Sequence, residues 1–219
     1  MSRIAIIPAR GGSKRIPKKN IKSFLGKPII AYSIEAALAS NLFDEVMVST
    51  DSEEIAEIAK SYGAKVPFFR SDKNADDYAT LVDVLLEVLS SYKADGYSFD
   101  YVCCILPTAP FVSKEKLQEG YKTIIDNDFD SVFPVLEFAY PIQRALQIQN
   151  DKVSMVWDTH EKTRSQDLEK RFHDSGQFYW SKTASLLKDK KLFTKNSGAS
   201  DYFRIRSSRY RYGNRLEAC

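Results

Sequence analysis

The sequence has little that would mark a secreted, membrane-embedded or nucleic-acid-binding protein. Of its three cysteines, Cys103 and Cys104 are adjacent in an apolar run and Cys219 is the last residue. That arrangement offers neither a disulfide framework nor a spaced pair of metal ligands, so buried small hydrophobes are expected. No apolar run approaches the roughly 18 residues of a membrane span, and no signal-peptide pattern precedes the strand-like segment that begins at Arg3. A cytoplasmic protein without a membrane partner is the expectation. An excess of one charge is missing too: 32 Lys and Arg against 29 Asp and Glu leave a net charge of +3, too weak a field to argue for nucleic acid. Even this excess is local. Residues 199–219 carry Arg204, Arg206, Arg209, Arg211 and Arg215 against Asp201 and Glu217, while the remaining 198 residues balance at 27 against 27. Repeats, Pro-rich linkers and low-complexity stretches are also absent, so no second domain is expected.

What is present is a chain of 219 residues, long enough for a full core, in which short β-branched runs alternate with helical patterns. Strands are expected at 4–8, 45–49, 65–69, 101–106 and 131–135, and helices at 28–39, 53–62, 78–92 and 114–126. Runs buried on both faces argue an α/β fold with a mainly parallel sheet flanked by helices. In such sheets ligands bind beyond the carboxyl ends of the strands, which points to the loops after Pro8, Ser49, Phe69, Leu106 and Val135. Beyond residue 140 the character changes. Segments 145–149 and 152–157, separated by Asn150-Asp151, read as a hairpin, and 177–180 as a further strand, so an antiparallel C-terminal addition is expected.

The loop behind the first strand holds the chemistry. Residues 8–20 carry Gly11, Gly12, Ser13 and five cations, Arg10, Lys14, Arg15, Lys18 and Lys19, ending at Asn20. Glycines let backbone N–H groups approach an anion and the cations neutralise it, which suits a polyphosphate. The spacing matches neither a Walker A loop nor a dinucleotide G-x-G-x-x-G. The bland alternative is a solvated basic turn.

Ile7 to Lys14 followed by Lys19-Asn20 resembles the opening motif of the cytidylyltransferases that activate nonulosonic acids, the CMP-sialic acid synthetase family. Val48 to Asp51, Phe69-Arg70, Asp76 to Thr80 and Pro107 to Phe111 match further blocks in order, and the resemblance covers residues 1 to about 198. Ser131 to Val135, Tyr140 to Leu146, Arg164 to Leu168 and His173 to Trp180 resemble the pseudaminic acid branch. The sialic acid enzymes typically have an Asn-Gly before their corresponding Tyr, where this chain has Ser175-Gly176-Gln177-Phe178, and Gln where it has Leu106.

The resemblance implies a Rossmann-like nucleotide-diphospho-sugar transferase sheet in a domain of residues 1–198. It implies a homodimer that, assisted by Mg²⁺, joins CTP to a nine-carbon keto-acid sugar, pseudaminic acid first, and releases pyrophosphate. A CMP-N-acetylneuraminic or other keto-acid sugar synthetase, or a catalytically impaired CTP-binding protein, are the alternatives. Arg10, Gly11, Gly12, Ser13 and Lys14 would hold the triphosphate, Arg10 and Lys14 acting in catalysis by neutralising charge. Lys19, Asn20, Arg70 and Thr80 map around the nucleotide, Asn20 toward the base edge. Gln143, Arg144, Arg164, Gln166, Asp167 and His173 are assigned to the sugar, whose carboxylate an arginine can clamp.

Each assignment has an ordinary competitor. Arg164 could pair with Asp167 in a tight turn, and Gln143 and Arg144 could be strand-edge solvation. His173 could contact substrate or hold structure by a hydrogen bond, while His160 is expected in solvent. Asp51 could cap the following helix or face a metal. Tyr140 and Trp180 could stack on substrate, with the core the safer place for Trp180.

The last segment, 199–219, breaks the pattern. Related enzymes are expected to continue into a strand and an Asp-Ile-Asp block that would ligate Mg²⁺; this chain turns basic instead. One permitted codon choice for 199–219, read one base further on, spells QVIIFEFEVQDIDTETDWKLA, which restores that block. A single-base shift in the coding sequence is therefore the expected origin, a divergent native tail the alternative, and irregular packing of 199–219 with impaired turnover the expected consequence.

Overall fold

The computed structural model describes residues 1–13 and 16–203, the last three as backbone only. In chain order the elements are β1 (Arg3–Pro8), β2 (Ser23–Phe24), β3 (Lys27–Pro28), α1 (Ile29–Ala39), β4 (Glu45–Ser49), α2 (Glu53–Ser61), α3 (Asp72–Ala75), α4 (Leu81–Ala94), β5 (Tyr101–Ile105), α5 (Lys114–Asp126) and β6 (Ser131–Glu137). There follow β7 (Leu146–Gln149), β8 (Lys152–Met155), β9 (Phe172–Asp174), β10 (Phe178–Lys182), α6 (Thr183–Asp189) and β11 (Ser197–Phe203). They fall into two compact units, one of residues 1–134 and 175–201, the other containing 135–174. No linker composition marks either crossing, because the chain changes unit inside β6 and just after β9.

The first unit is built on a sheet in the order β11-β6-β10-β5-β1-β4. β1 pairs parallel with both β4 and β5, whereas β10 enters antiparallel between β5 and β6. The expected parallel centre and antiparallel C-terminal addition are both present. Burial explains the order: Ile4, Ala5, Ile6 and Ile7 of β1 and Val102 to Ile105 of β5 are fully buried, as strands covered on both faces must be. Trp180 closes the packing as expected of a core residue, fully buried, stacked on Phe43 with ring centroids 5.1 Å apart, its indole N–H donating to the Leu117 carbonyl at 3.1 Å. Gly120 lets α5 approach, since a Cβ there would lie 2.9 Å from both Phe178 and Trp180. Cys103 and Cys104 are buried within β5, and burial pushes the Cys104 thiol up to about 12, which removes it as a nucleophile at neutral pH.

The expected strand at 65–69 does not form: only Lys65 bridges to Met47, beside the edge strand β4. Pro67 follows Val66 and cannot donate to a ladder, so the segment ends after one bridge. The helix expected at 78–92 starts later, at Leu81, because Thr80 and Asp83 form a capping box there. The tail expectation is corrected for residues 199–203, which continue β11 next to β6 in the sheet; residues 204–219 lie outside the described residues.

The second unit holds β7 and β8 as a two-stranded sheet, with Leu146 opposite Met155 and Ile148 opposite Val153. Asn150 and Asp151 both take positive φ, 50° and 61°, as the hairpin turn requires. The end of β6 pairs antiparallel with β9, which the sequence pattern did not signal. Among the described residues no helix is long and apolar enough to cross a membrane.

Candidate functional site

A pocket of about 250 Å³ opens in the first unit, lined by residues following β1, β5 and residues 70–84. Pro8, Arg10, Lys19, Asn20, Arg70, Asn74, Asp76, Asp77, Thr80, Leu106 and Thr108 are among its walls. It lies at the carboxyl ends of the central strands, where the topology places ligands. Five of the nucleotide candidates, Arg10, Lys19, Asn20, Arg70 and Thr80, are thereby brought together. Gly11, Gly12 and Ser13 follow directly in the chain without lining the pocket, and Lys14 lies outside the described residues.

The loop after β1 is held from several sides. The Ala9 amide donates to the Ser49 carbonyl at 2.9 Å, and the Gly11 amide to Asp51 Oδ1 at 2.7 Å. A Cβ at Gly11 would come within 3.1 Å of Ser52 Cβ, so glycine allows the loop to pass close to the start of α2. Asp51 therefore does not cap that helix: its described partner is the loop amide, and Ser52 is the cap. Asn20 is 5% exposed and donates from Nδ2 to the Arg10 carbonyl at 2.9 Å. Its Oδ1 is buried without a hydrogen-bond partner. A buried acceptor left open in a polar pocket invites a donor.

Arg70 is buried, its Nε donating to Ser49 Oγ at 3.0 Å and its Nη2 to the Ser49 carbonyl at 2.5 Å. Burial pulls the guanidinium below its ordinary range while Asp51 and Glu87 push it back up. Arg10 reaches across to residues 76 and 77: its Nη2 is 2.8 Å from Asp77 Oδ1, and Nη1 donates to the Asp76 carbonyl. Asp76 Oδ1 accepts the amides of Tyr78 and Ala79 at 2.8 and 2.7 Å, which makes 76–79 a defined turn. The Thr80 hydroxyl, assigned to the nucleotide from sequence, accepts the Asp83 amide at 3.2 Å and donates to Asp83 Oδ2 at 2.6 Å. Its first role is to cap α4. Sequence reasoning missed the pairing of Arg10 with Asp77; the one available signal was two adjacent carboxylates in a block otherwise matched to a polyphosphate site.

A family model described as Cytidylyltransferase matches residues 4–216. The pseudaminic acid cytidylyltransferase of Campylobacter jejuni serotype O:2 is 46% identical over 198 residues, covering 90% of this chain and 85% of that protein. The chain belongs to the cytidylyltransferase family. A bifunctional Helicobacter pylori protein, pseudaminic acid cytidylyltransferase and a hydrolase of a UDP-linked trideoxy sugar, is 35% identical over 90% of this chain and 38% of its own length. Among solved structures, a CMP:2-keto-3-deoxy-manno-octonic acid synthetase complexed with CTP superposes with a TM-score of 0.65 at 19% identity, over 89% of this chain and 79% of its own. A cytidylyltransferase from Leptospira borgpetersenii gives 0.57 at 18% identity, over 93% and 77%. At those identities the likeness is one of fold.

The sugar candidates of this family member all lie in the second unit, where the 142–144 turn is hydrogen-bonded to the segment 163–169. Gln143 and Arg144 sit on a single 3-10 turn; Gln143 Nε2 donates to the Glu169 carbonyl at 2.7 Å and Arg144 Nη1 to the Thr163 carbonyl at 3.5 Å. Gln143 Oε1 is buried without a partner. Arg164 and Asp167 form an ion pair at 2.7 Å across the turn containing Gln166, the local pairing that the spacing also permitted. His173 on β9 is exposed, its Nδ1 2.8 Å from the Asp174 carbonyl and its ring edge-on to Phe138. His160 is half-buried on its own 3-10 turn, less solvated than expected, and Tyr140 is exposed.

Mg²⁺, implied by the resemblance, finds no ready donor set among the described residues. Among the described residues no group of three or more His, Cys, Asp or Glu side chains could hold a metal ion. The pocket carboxylates are engaged by protein donors, Asp76 by its turn and Asp77 by Arg10.

Proposed function

We propose that this chain joins CTP to pseudaminic acid, forming the CMP-sugar and pyrophosphate. The observation that carries the cytosine assignment is Asn20. Its amide nitrogen is committed to the Arg10 carbonyl, so the open Oδ1 accepts a hydrogen bond and cannot give one. The exocyclic amino group of cytosine satisfies it, whereas the carbonyl that uracil carries there would leave two acceptors facing one another, a mismatch costing about 1–3 kcal/mol. The choice of sugar rests on the relatives at 46% identity.

In this reading the anomeric hydroxyl attacks the α-phosphorus in line, the bond to the β-phosphate oxygen breaks, and the electron pair leaves with pyrophosphate. Arg10, Lys14 and Lys19, with the amides and hydroxyl of Gly11, Gly12 and Ser13, neutralise the developing charge, and Arg70 borders the nucleotide. Thr80 contributes through the α4 N-terminus. Gln143, Arg144, Arg164, Gln166, Asp167 and His173 recognise the sugar, an arginine taking its carboxylate.

A homodimer goes with this reading. Leu146, Ile148, Val153 and Met155 share one face of the hairpin, and the first three are more than half exposed. A second copy of the chain offers the same apolar face. Residues 199–219 are proposed to be an end altered by a single-base shift, with the Asp-Ile-Asp metal block lost and turnover lowered.

The test is pyrophosphate release from CTP with a panel of purified nonulosonic acids, with UTP as control. Pseudaminic acid should be turned over in preference to N-acetylneuraminic acid. Equal use of CTP and UTP would remove the Asn20 argument, and preference for another acid would reassign the sugar. The tail is tested by substituting the shifted reading for 199–219: Mg²⁺-dependent turnover should rise, and an unchanged rate would sink the altered-end proposal.

A further inference from the structure

A pocket meant for a highly charged anion should not be lined by carboxylates, yet Asp76 and Asp77 stand among its walls beside Arg10, Lys19 and Arg70. Asp76 is explained by the turn that its carboxylate closes. Asp77 is different, because its carboxylate meets Arg10 Nη2 at 2.8 Å while Arg10 Nη1 is held by the Asp76 carbonyl. We propose that Asp77 is a positioning residue that acts as an internal competitor for the phosphate at Arg10, holding the guanidinium until a polyphosphate takes it over. This rests on reading the pocket as the CTP site.

The geometry favours an exchange of partners over a rearrangement of backbone. The Arg10 main chain is anchored, its carbonyl accepting Asn20 Nδ2 and the preceding Ala9 amide bound to Ser49. The segment carrying Asp77 is anchored by the Asp76 turn on one side and the Thr80 capping box on the other. Only side-chain rotation therefore separates the held guanidinium from a free one. Both side chains are about one-third exposed, 33% and 35%, so solvent screens the pair and its release is inexpensive. A triphosphate brings several negative charges and wins the exchange; a monocarboxylate replaces one carboxylate with another and gains nothing. The device thus keeps Arg10 available to the nucleotide.

The experiment is calorimetry with CTP and, separately, inorganic tripolyphosphate on wild type, Asp77→Asn, Asp77→Ser, Arg10→Ala and Arg10→Ala/Asp77→Asn. Both Asp77 variants should bind either probe about two- to fivefold more tightly than wild type, with no gain from Asp77→Asn when Arg10 is absent. In turnover, KM for CTP should fall in the Asp77 variants while KM for the acceptor stays put, a split that a merely structural role would not produce. Unchanged or weaker binding in the Asp77 variants overturns the proposal. So does an equal gain in the Arg10→Ala background, which would mean only that a negative charge had left the pocket. Tripolyphosphate binding without CTP binding would sink the cytosine reading alone and leave the Asp77 comparison readable; binding of neither probe would overturn both.

Discussion

The two units differ in where they put their apolar side chains. In the first, β1 and β5 bury theirs completely within a sheet covered by helices. In the second, β7 and β8 form a two-stranded hairpin whose Leu146, Ile148 and Val153 remain in solvent. An isolated hairpin of that kind is marginal in water, so its apolar face needs a partner that the described residues of its own unit do not supply. The ion pairs cannot reverse this contrast. Those described are mostly on exposed side chains and worth about 0–1 kcal/mol each, whereas a fully buried large apolar side chain contributes about 1.5–3 kcal/mol. One region is stabilised by its own core, and the other leaves exposed the apolar hairpin face on which the proposed dimer rests.

The sharpest break of that comparison is Trp180→Ala set against Ile148→Ser. Removing the buried indole should cost about 3–5 kcal/mol in denaturant unfolding, while the exposed isoleucine should cost no more than about 0.5 kcal/mol in dilute monomer. Similar losses at both positions would mean that the second unit has a core of its own.

Next in size is Arg10→Ala. It should lower turnover by about tenfold to a hundredfold with the unfolding midpoint retained, because the guanidinium sits at a pocket wall and supports no core. A collapse of stability would instead make the ion pair with Asp77 structural.

Placing charge on the hairpin, as Ile148→Asp with Val153→Asp, tests the second unit directly. Sedimentation should show dimer giving way to monomer, and a dimer of undiminished affinity would put its interface elsewhere. Arg164→Ala should then raise the acceptor KM several-fold and leave the CTP KM alone; equal effects on both substrates would show that this residue shapes more than sugar binding.

The smallest effect is expected at Thr80→Ala, about 1 kcal/mol from loss of the α4 cap. Hydrogen bonds from the Thr80 hydroxyl and amide hold Asp83 below the ordinary carboxylate range. A carboxyl whose folded pKa is depressed adds stability above its unfolded pKa and loses it as pH falls through the folded one. The part of the Thr80→Ala penalty carried through the Asp83 carboxylate should therefore be full at neutral pH and shrink in acid, and a pH-independent penalty would assign the loss to the bond from the Asp83 amide.

The parallel centre, the hairpin turn at Asn150-Asp151 and the loop at 8–20 were legible in the sequence because each is written locally, in β-branched runs, in turn residues and in glycines among cations. Leu81 as the start of α4 was harder to read, since the apolar pattern runs back to Tyr78 while the cap at Thr80 stops it. The roles of Asp51 and Asp77 were not legible at all. Their partners are 40 and 67 residues away, at Gly11 and Arg10, and no periodicity carries such a pairing.

By itself the sequence determined the fold class, the family, and which loop would border the pocket, because backbone propensity, apolar period and the ordered motif blocks are properties of neighbouring residues. Tertiary structure alone decided that β10 would insert between β5 and β6, that Asn20 would bury one open acceptor, and that Arg10 would meet Asp77. Those outcomes depend on which strand ends the sheet brings together and on which polar atoms burial leaves without water, and neither is fixed until the chain has packed.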